Sequence, residues 1–227
     1  MSATTVVHTR PAITPAVGAF AAAGALLVLY PALRPWSDTT AEGAPAAFTS
    51  SAWVPAHLAA VAAFVLVGFA LHGLREVVAR TPGARPSRAA ALLWTVGAAF
   101  VLPYYGAEAF VLPAIGDRIV HTGDTGLLDV VEAFRLGLWP AIIFAVGLLL
   151  LAVAGVLVAV AVARSGVLPS WAGVPFAVGF ALYLPQFFGS PELRIAHGVL
   201  VAAGCLALAA AARGSGVLHQ RDAGDPV

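Results

Sequence analysis

The sequence predicts an all-α membrane protein, a bundle of six transmembrane helices with both termini in the cytoplasm. Three observations carry that expectation. Of 227 residues, 60% are hydrophobic and only 10% are charged, whereas a soluble domain of this length carries about 25% charged residues to keep its surface in water. Mean hydropathy is +0.92. The apolar residues fall into six long runs, and a helix crosses the hydrocarbon of a bilayer with about 20 such residues.

The runs are expected as spans at residues 13–33, 53–74, 89–112, 137–163, 168–188 and 193–212, forming one membrane domain over 13–212. Residues 1–12 are polar and read as a cytoplasmic N-terminal segment. The first run is too long for the roughly 7–15-residue apolar core of a secretory signal, so it is read as a retained helix. The stretch 34–51 is rich in Pro, Ser, Thr, Ala and Gly and reads as a loop. Ser50 or Ser51 ahead of Pro55 is placed to cap the second helix. Residues 75–88 collect Arg75, Arg80, Arg85 and Arg88 around Pro82, Gly83 and Pro86, the signature of a short cytoplasmic connection.

The third span contains Pro103, where a helix hydrogen bond is lost and a kink is expected. An acidic loop over 113–136 follows, with 127–136 helical at the membrane surface or extending the fourth span. The fifth span carries Pro169, Pro175 and Pro185. The sixth holds Gly198, Ala202, Ala203 and Gly204, small residues that let a neighbouring helix come close. The tail from 213 to 227 is polar and expected to be disordered.

Orientation follows from the arginines, which supply every basic residue; lysine is absent. Arg10, Arg75, Arg80, Arg85, Arg88, Arg164, Arg213 and Arg221 fall on the side of the termini, against Arg34, Arg118, Arg135 and Arg194 on the other. Positive charge accumulates on the cytoplasmic side. The expected location is the bacterial plasma membrane, with the lipid bilayer as the main partner. No basic stripe suited to nucleic acid is present. The single Cys205 excludes an intramolecular disulfide and a CxxC site and reads as a packing residue. No GxSxG or HExxH pattern occurs, and Ser190 in FGSPE has no base at a recognisable spacing.

The stretch Val101 to Phe110, VLPYYGAEAF, holds the candidate site. Glu108 is an acid inside an apolar run, where an ionisable group faces protein, a cavity or a partner rather than lipid. His57, Glu108 and His197 each lie four residues from the outer end of a span, roughly 6 Å below the boundary. Tyr104, Tyr105, Tyr183 and Gln186 fall at similar depth, and Tyr104 and Tyr105 share a helix face with Glu108. Arg194, three residues before His197, or a histidine, is a candidate partner for Glu108. The competing reading makes the tyrosines, with Trp36, Trp53 and Trp139, an aromatic belt at the interface.

Three functional classes fit this pattern. The leading one is binding or transport of a small lipophilic molecule in an outward-facing polar pocket around Glu108, with a homodimer expected because six spans are few for a transporter. The second is an intramembrane enzyme acting on a lipid or isoprenoid, since burial favours the neutral acid and Glu108 would then serve as a general acid among aromatic faces. In that general design the chain is similar to membrane-embedded terpene cyclases of meroterpenoid pathways, and the resemblance carries no catalytic role to a particular residue. The third uses His57 and His197 as haem ligands, or joins them to Glu108 at zinc. The sequence names no cofactor, and no residue is assigned to a metal.

A Trp and a His open the second span in WVPAH, Trp53 to His57. In this, and in its six-span pattern, the chain resembles uncharacterised six-span membrane proteins of high-GC actinobacteria. That resemblance implies the fold and the plasma-membrane location and supplies no activity.

Overall fold

The computed structural model describes residues 13–222, with the surroundings of side chains described from 15 to 215. The expected N-terminal segment 1–12 and the last five residues of the expected tail lie outside the described residues. The described chain is helical, in the order α1 (Ile13–Leu33), α2 (Ala44–Phe48), α3 (Trp53–Val77), α4 (Ala84–Thr122), α5 (Leu127–Leu136), α6 (Leu138–Ser165), α7 (Val174–Ala181) and α8 (Pro191–Asp222). Short 3₁₀ turns occupy Ser37–Thr39 and Pro185–Phe188. Five of the helices, α1, α3, α4, α6 and α8, are long and apolar enough to cross a membrane.

The expected fifth span is not one helix. Pro175 occupies the first turn of α7, where its missing N–H costs nothing. Pro185 has the opposite effect, because its ring would press on the carbonyl of Ala181 and its nitrogen cannot donate. The α-helix accordingly stops at Ala181 after eight residues, and the chain continues through turns and the 3₁₀ segment to Phe188. This broken segment still runs antiparallel to both neighbours. A Cβ on Gly173 would lie 2.6 Å from the Ala159 Cα, and one on Gly155 would lie 3.4 Å from the Ala177 Cα. Likewise a Cβ on Gly204 would come within 2.5 Å of the Phe176 Cα, while Gly179 faces Val201 farther along.

With the broken segment included, the helices close into a ring. α1 packs on α3, α3 on α4, α4 on α6, α6 on α7, α7 on α8, and α8 returns to α1. Small residues at the crossings let these helices approach closely. Gly97 and Gly147 meet where α4 crosses α6, and a Cβ on Gly147 would stand 2.9 Å from the Gly97 carbonyl oxygen. The ring interior is filled by aromatic side chains. Trp94 and Phe180 meet edge to face at 4.7 Å, Phe64 lies 5.6 Å from both Tyr105 and Tyr183, and Trp94 donates its indole N–H to the Phe64 carbonyl at 2.9 Å.

Several boundaries differ from the sequence expectation. α4 runs unbroken through Pro103 and Pro113 for 39 residues, about 58 Å, twice the hydrocarbon thickness. The helix ends at Gly123, whose φ of 71° is the left-handed conformation that closes helices. The first ten residues of the expected loop 113–136 are therefore helical, and the other part of that loop forms the separate helix α5. The expected loop 34–51 also contains structure, the 3₁₀ turn and α2. At the start of α3 the expected serine cap is displaced: the cap position is Ala52, and Ser50 Oγ accepts the Ala52 N–H at 3.3 Å. α8 runs to Asp222, ten residues beyond the expected end of the sixth span.

The extension of α4 supports a small cap. Ala44, Ala47 and Phe48 of α2, Val131 of α5 and Leu112 of α4 bury together with Trp53 in a second apolar cluster. Gly116 permits the approach of α2, since a Cβ there would stand 2.7 Å from the Phe48 Cβ.

Candidate functional site

Glu108 is buried, and its partner is one the sequence did not single out. Arg135, on the cap helix α5, donates from Nε to Glu108 Oε1 at 2.7 Å and from Nη2 to Oε2 at 2.8 Å. The two-point guanidinium fork is the strongest common carboxylate contact. Arg135 Nη2 also reaches Asp38 Oδ2 at 3.0 Å, and Arg34 Nη2 donates to the same oxygen at 2.6 Å. Arg34, Asp38, Arg135 and Glu108 thus form a chain of alternating charges between the bundle and its cap. Burial by itself disfavours the charged Arg135, yet hydrogen bonding and charge from Glu108, with the nearby Asp38, raise its pKa above the ordinary value.

His57 joins this cluster from α3. Its Nδ1 lies 2.7 Å from the Trp53 carbonyl, which can only accept, so Nδ1 carries the proton. Nε2 then faces Glu108 Oε2 at 3.7 Å, longer than a hydrogen bond, and is buried without a partner. Trp53 is fully buried rather than part of an interfacial belt, and its indole N–H donates to the Glu108 carbonyl oxygen at 2.7 Å. Trp139 is 70% exposed, as a belt residue would be.

Arg194 and His197 do something else. Turning Tyr183 N–H to Phe180 at the end of α7 leaves the Gly179 carbonyl without its usual helical donor. His197 Nε2 donates to that carbonyl at 2.7 Å. One turn earlier on α8, Arg194 donates from Nε to the Gly189 carbonyl at 3.1 Å and from Nη2 to the Phe187 carbonyl. The first turns of α8 therefore satisfy the carbonyls that the broken segment exposes. Arg194 is not the Glu108 partner.

The tyrosines lie inside the ring. Tyr105 and Tyr183 are buried with their hydroxyls 3.2 Å apart, and Tyr30 packs against both His57 and Tyr105. Tyr104 stacks on Phe144 at 4.2 Å. The sequence candidates thus separate into two groups. Glu108, His57, Tyr104 and Tyr105 sit around the ion-pair chain. Tyr183, Gln186, Arg194 and His197 line a cleft with Tyr30, Trp36 and the apolar Leu27, Pro31 and Val201. The cleft narrows to about 10 Å³, room for one water-sized group. A wider groove of about 290 Å³ lies at the opposite end between Pro15, Phe69, His72 and Glu76, on the outer surface where Phe69 is exposed.

The geometry bears on the chemistry open to these residues. Both carboxylate oxygens of Glu108 are engaged by the Arg135 guanidinium, so a substrate atom would have to displace Arg135 to reach them. Among the described residues no three His, Cys, Asp or Glu side chains converge as a metal requires. Each of His57 and His197 already commits one ring nitrogen to a backbone carbonyl. Compared with known proteins, the chain matches no family model, no curated protein and no solved structure.

Proposed function

We propose that this protein binds a small lipophilic molecule in the cleft between α1, the broken segment and α8, as a six-pass protein of the bacterial plasma membrane with both termini in the cytoplasm. The broken segment, antiparallel to α6 and α8, is the fifth crossing of this topology. The cleft then opens on the outer side, below the cap. One observation carries the reading: the Gln186 amide and Arg194 Nη1 stand in the wall of the cleft and engage no protein group among the described residues, beside the apolar Leu27 and Val201. Membrane proteins turn such groups toward a binding path rather than toward lipid. The narrow space accepts only the outermost atoms of a head group, while the tail lies along α1 and α8 in the lipid.

In this reading Glu108 and Arg135 fasten the cap to the bundle and do not line the site. The test is a titration of protein in phosphatidylcholine nanodiscs with amphiphiles that share one oleoyl chain type: oleate, oleyl alcohol, monoolein and dioleoylphosphatidylglycerol. Saturable binding of at least one of them at one molecule per chain, abolished by Gln186→Trp while the unfolding temperature is kept, is the expected result. Absence of saturable binding by every member of the set would overturn the proposal.

A further inference from the structure

We propose that the head group accepted by the cleft is an anion, a carboxylate or a phosphate, held by Arg194. The inference rests on the binding reading above and names its ligand class. It starts from the balance of charge at this end of the bundle. Three guanidiniums, of Arg34, Arg135 and Arg194, stand against two buried carboxylates, of Asp38 and Glu108, and the ion pairs match Arg34 and Arg135 with those two acids. Arg194 makes no ion pair among the described residues. The acidic residue nearest to it in sequence, Glu192, is exposed and accepts the Ser190 hydroxyl at 2.6 Å.

The hydrogen-bond balance of the cleft has the same sign. The carbonyls of Phe187 and Gly189 are taken by Arg194, and that of Gly179 is taken by His197. What is left to a ligand is mostly donors: Arg194 Nη1, which engages no protein group among the described residues, and the Gln186 amide, with two N–H donors beside one carbonyl acceptor. Trp36, in the cleft wall, lies between two cations, with the Arg34 guanidinium 4.4 Å and the Arg194 guanidinium 5.1 Å from its ring. Behind it, Arg34 Nε and Nη1 are buried without acceptors. A site rich in donors, poor in free acceptors and carrying an uncompensated positive charge in a region of low dielectric favours a negative occupant. An anionic head also removes the cost of leaving Arg194 unpaired at the edge of the hydrocarbon.

The experiment compares head groups on the same chain. In phosphatidylcholine nanodiscs buffered above neutral pH, oleate or dioleoylphosphatidylglycerol is expected to bind at least about tenfold more tightly than oleyl alcohol. The preference of one of the two anions over the other distinguishes a free fatty acid from a membrane phospholipid as the source. Arg194→Gln is expected to erase the preference, Arg194→Lys to keep part of it, and Arg118→Gln, an exposed arginine of α4 away from the cleft, to leave it unchanged. Equal binding of oleyl alcohol and both anions would overturn the anionic assignment while leaving the cleft as a lipophile site. Loss of all binding in the wild type would instead remove the reading on which it rests. Because the wild-type comparison is decisive alone, an Arg194 variant that fails to fold does not decide the question.

Discussion

Arg135 holds both carboxylate oxygens of Glu108 from 27 residues away, at 2.7 and 2.8 Å, and so fastens the cap helix α5 to the long helix α4. Two charges taken out of water together are costly to separate, because the one left behind has no solvent to turn to. Arg135→Leu should therefore destabilise the protein by about 3–5 kcal/mol. Combining it with Glu108→Gln, which removes the orphaned charge, should recover part of that loss. Chemical unfolding of the detergent-solubilised protein measures both, and a double variant no better than Arg135→Leu alone would argue against the pair.

The cap depends on a close approach at Gly116. A side chain there meets the Phe48 Cβ at 2.7 Å, an overlap that costs about 1–3 kcal/mol where the neighbour cannot move away. Gly116→Val should release α2 and expose the stretch 34–51 to limited proteolysis, with less effect on the melting of the bundle. Unchanged protease resistance would mean that α2 is held by other contacts.

His197 is expected to matter for folding apart from any ligand. His197→Phe keeps a ring beside Tyr183 but leaves the Gly179 carbonyl unpaired, and a buried orphan acceptor costs about 1–3 kcal/mol. His197→Gln, which can still donate, should lose less. The order of unfolding midpoints among wild type, Gln and Phe checks this, and a Phe variant as stable as wild type would show that the carbonyl finds another donor.

Cys205 is fully buried on α8 where α1 crosses at Gly24. It should resist a maleimide reagent in the folded protein and react only after denaturation in detergent. Prompt labelling of the native protein would mean that the seam between α1 and α8 opens.

The long helices α1, α3, α6 and α8 are legible in the sequence because each holds an apolar run of roughly the length a membrane requires. The pairing of Glu108 with a protein group is legible as well, since an acid in such a run has few alternatives to a protein partner. Its actual partner was not. Arg135 sits in a stretch whose charge density reads as loop, and only the helical spacing of Leu127, Val131 and Phe134 hints that it is the apolar face of a helix that turns Arg135 toward the bundle. Asp38 gave no signal at all, for it lies among small polar residues and acquires its meaning from Arg34 and Arg135 in three dimensions. The burial of Trp53 is hidden from the sequence for a related reason. A tryptophan at a span end suits an interface equally well when the end is bare, and the sequence does not reveal that α2 and α5 cover this one. The prolines of the fifth span announced an interruption, and its remedy, donors supplied by Arg194 and His197 from the following helix, depends on packing that no local pattern encodes.

The closed ring has a consequence for the making of the protein. Its last contact joins α8 to α1, with the Gly198 position set against the Leu27 carbonyl and Gly24 against Ala202. α1 is made before α8 and therefore waits for it before its second flank is covered. Until then the donors of Arg194 and His197 are still unsynthesised, and the carbonyls of the broken segment that they satisfy are bare. Truncation anywhere before Arg194 thus leaves an open arc of helices instead of a shorter bundle.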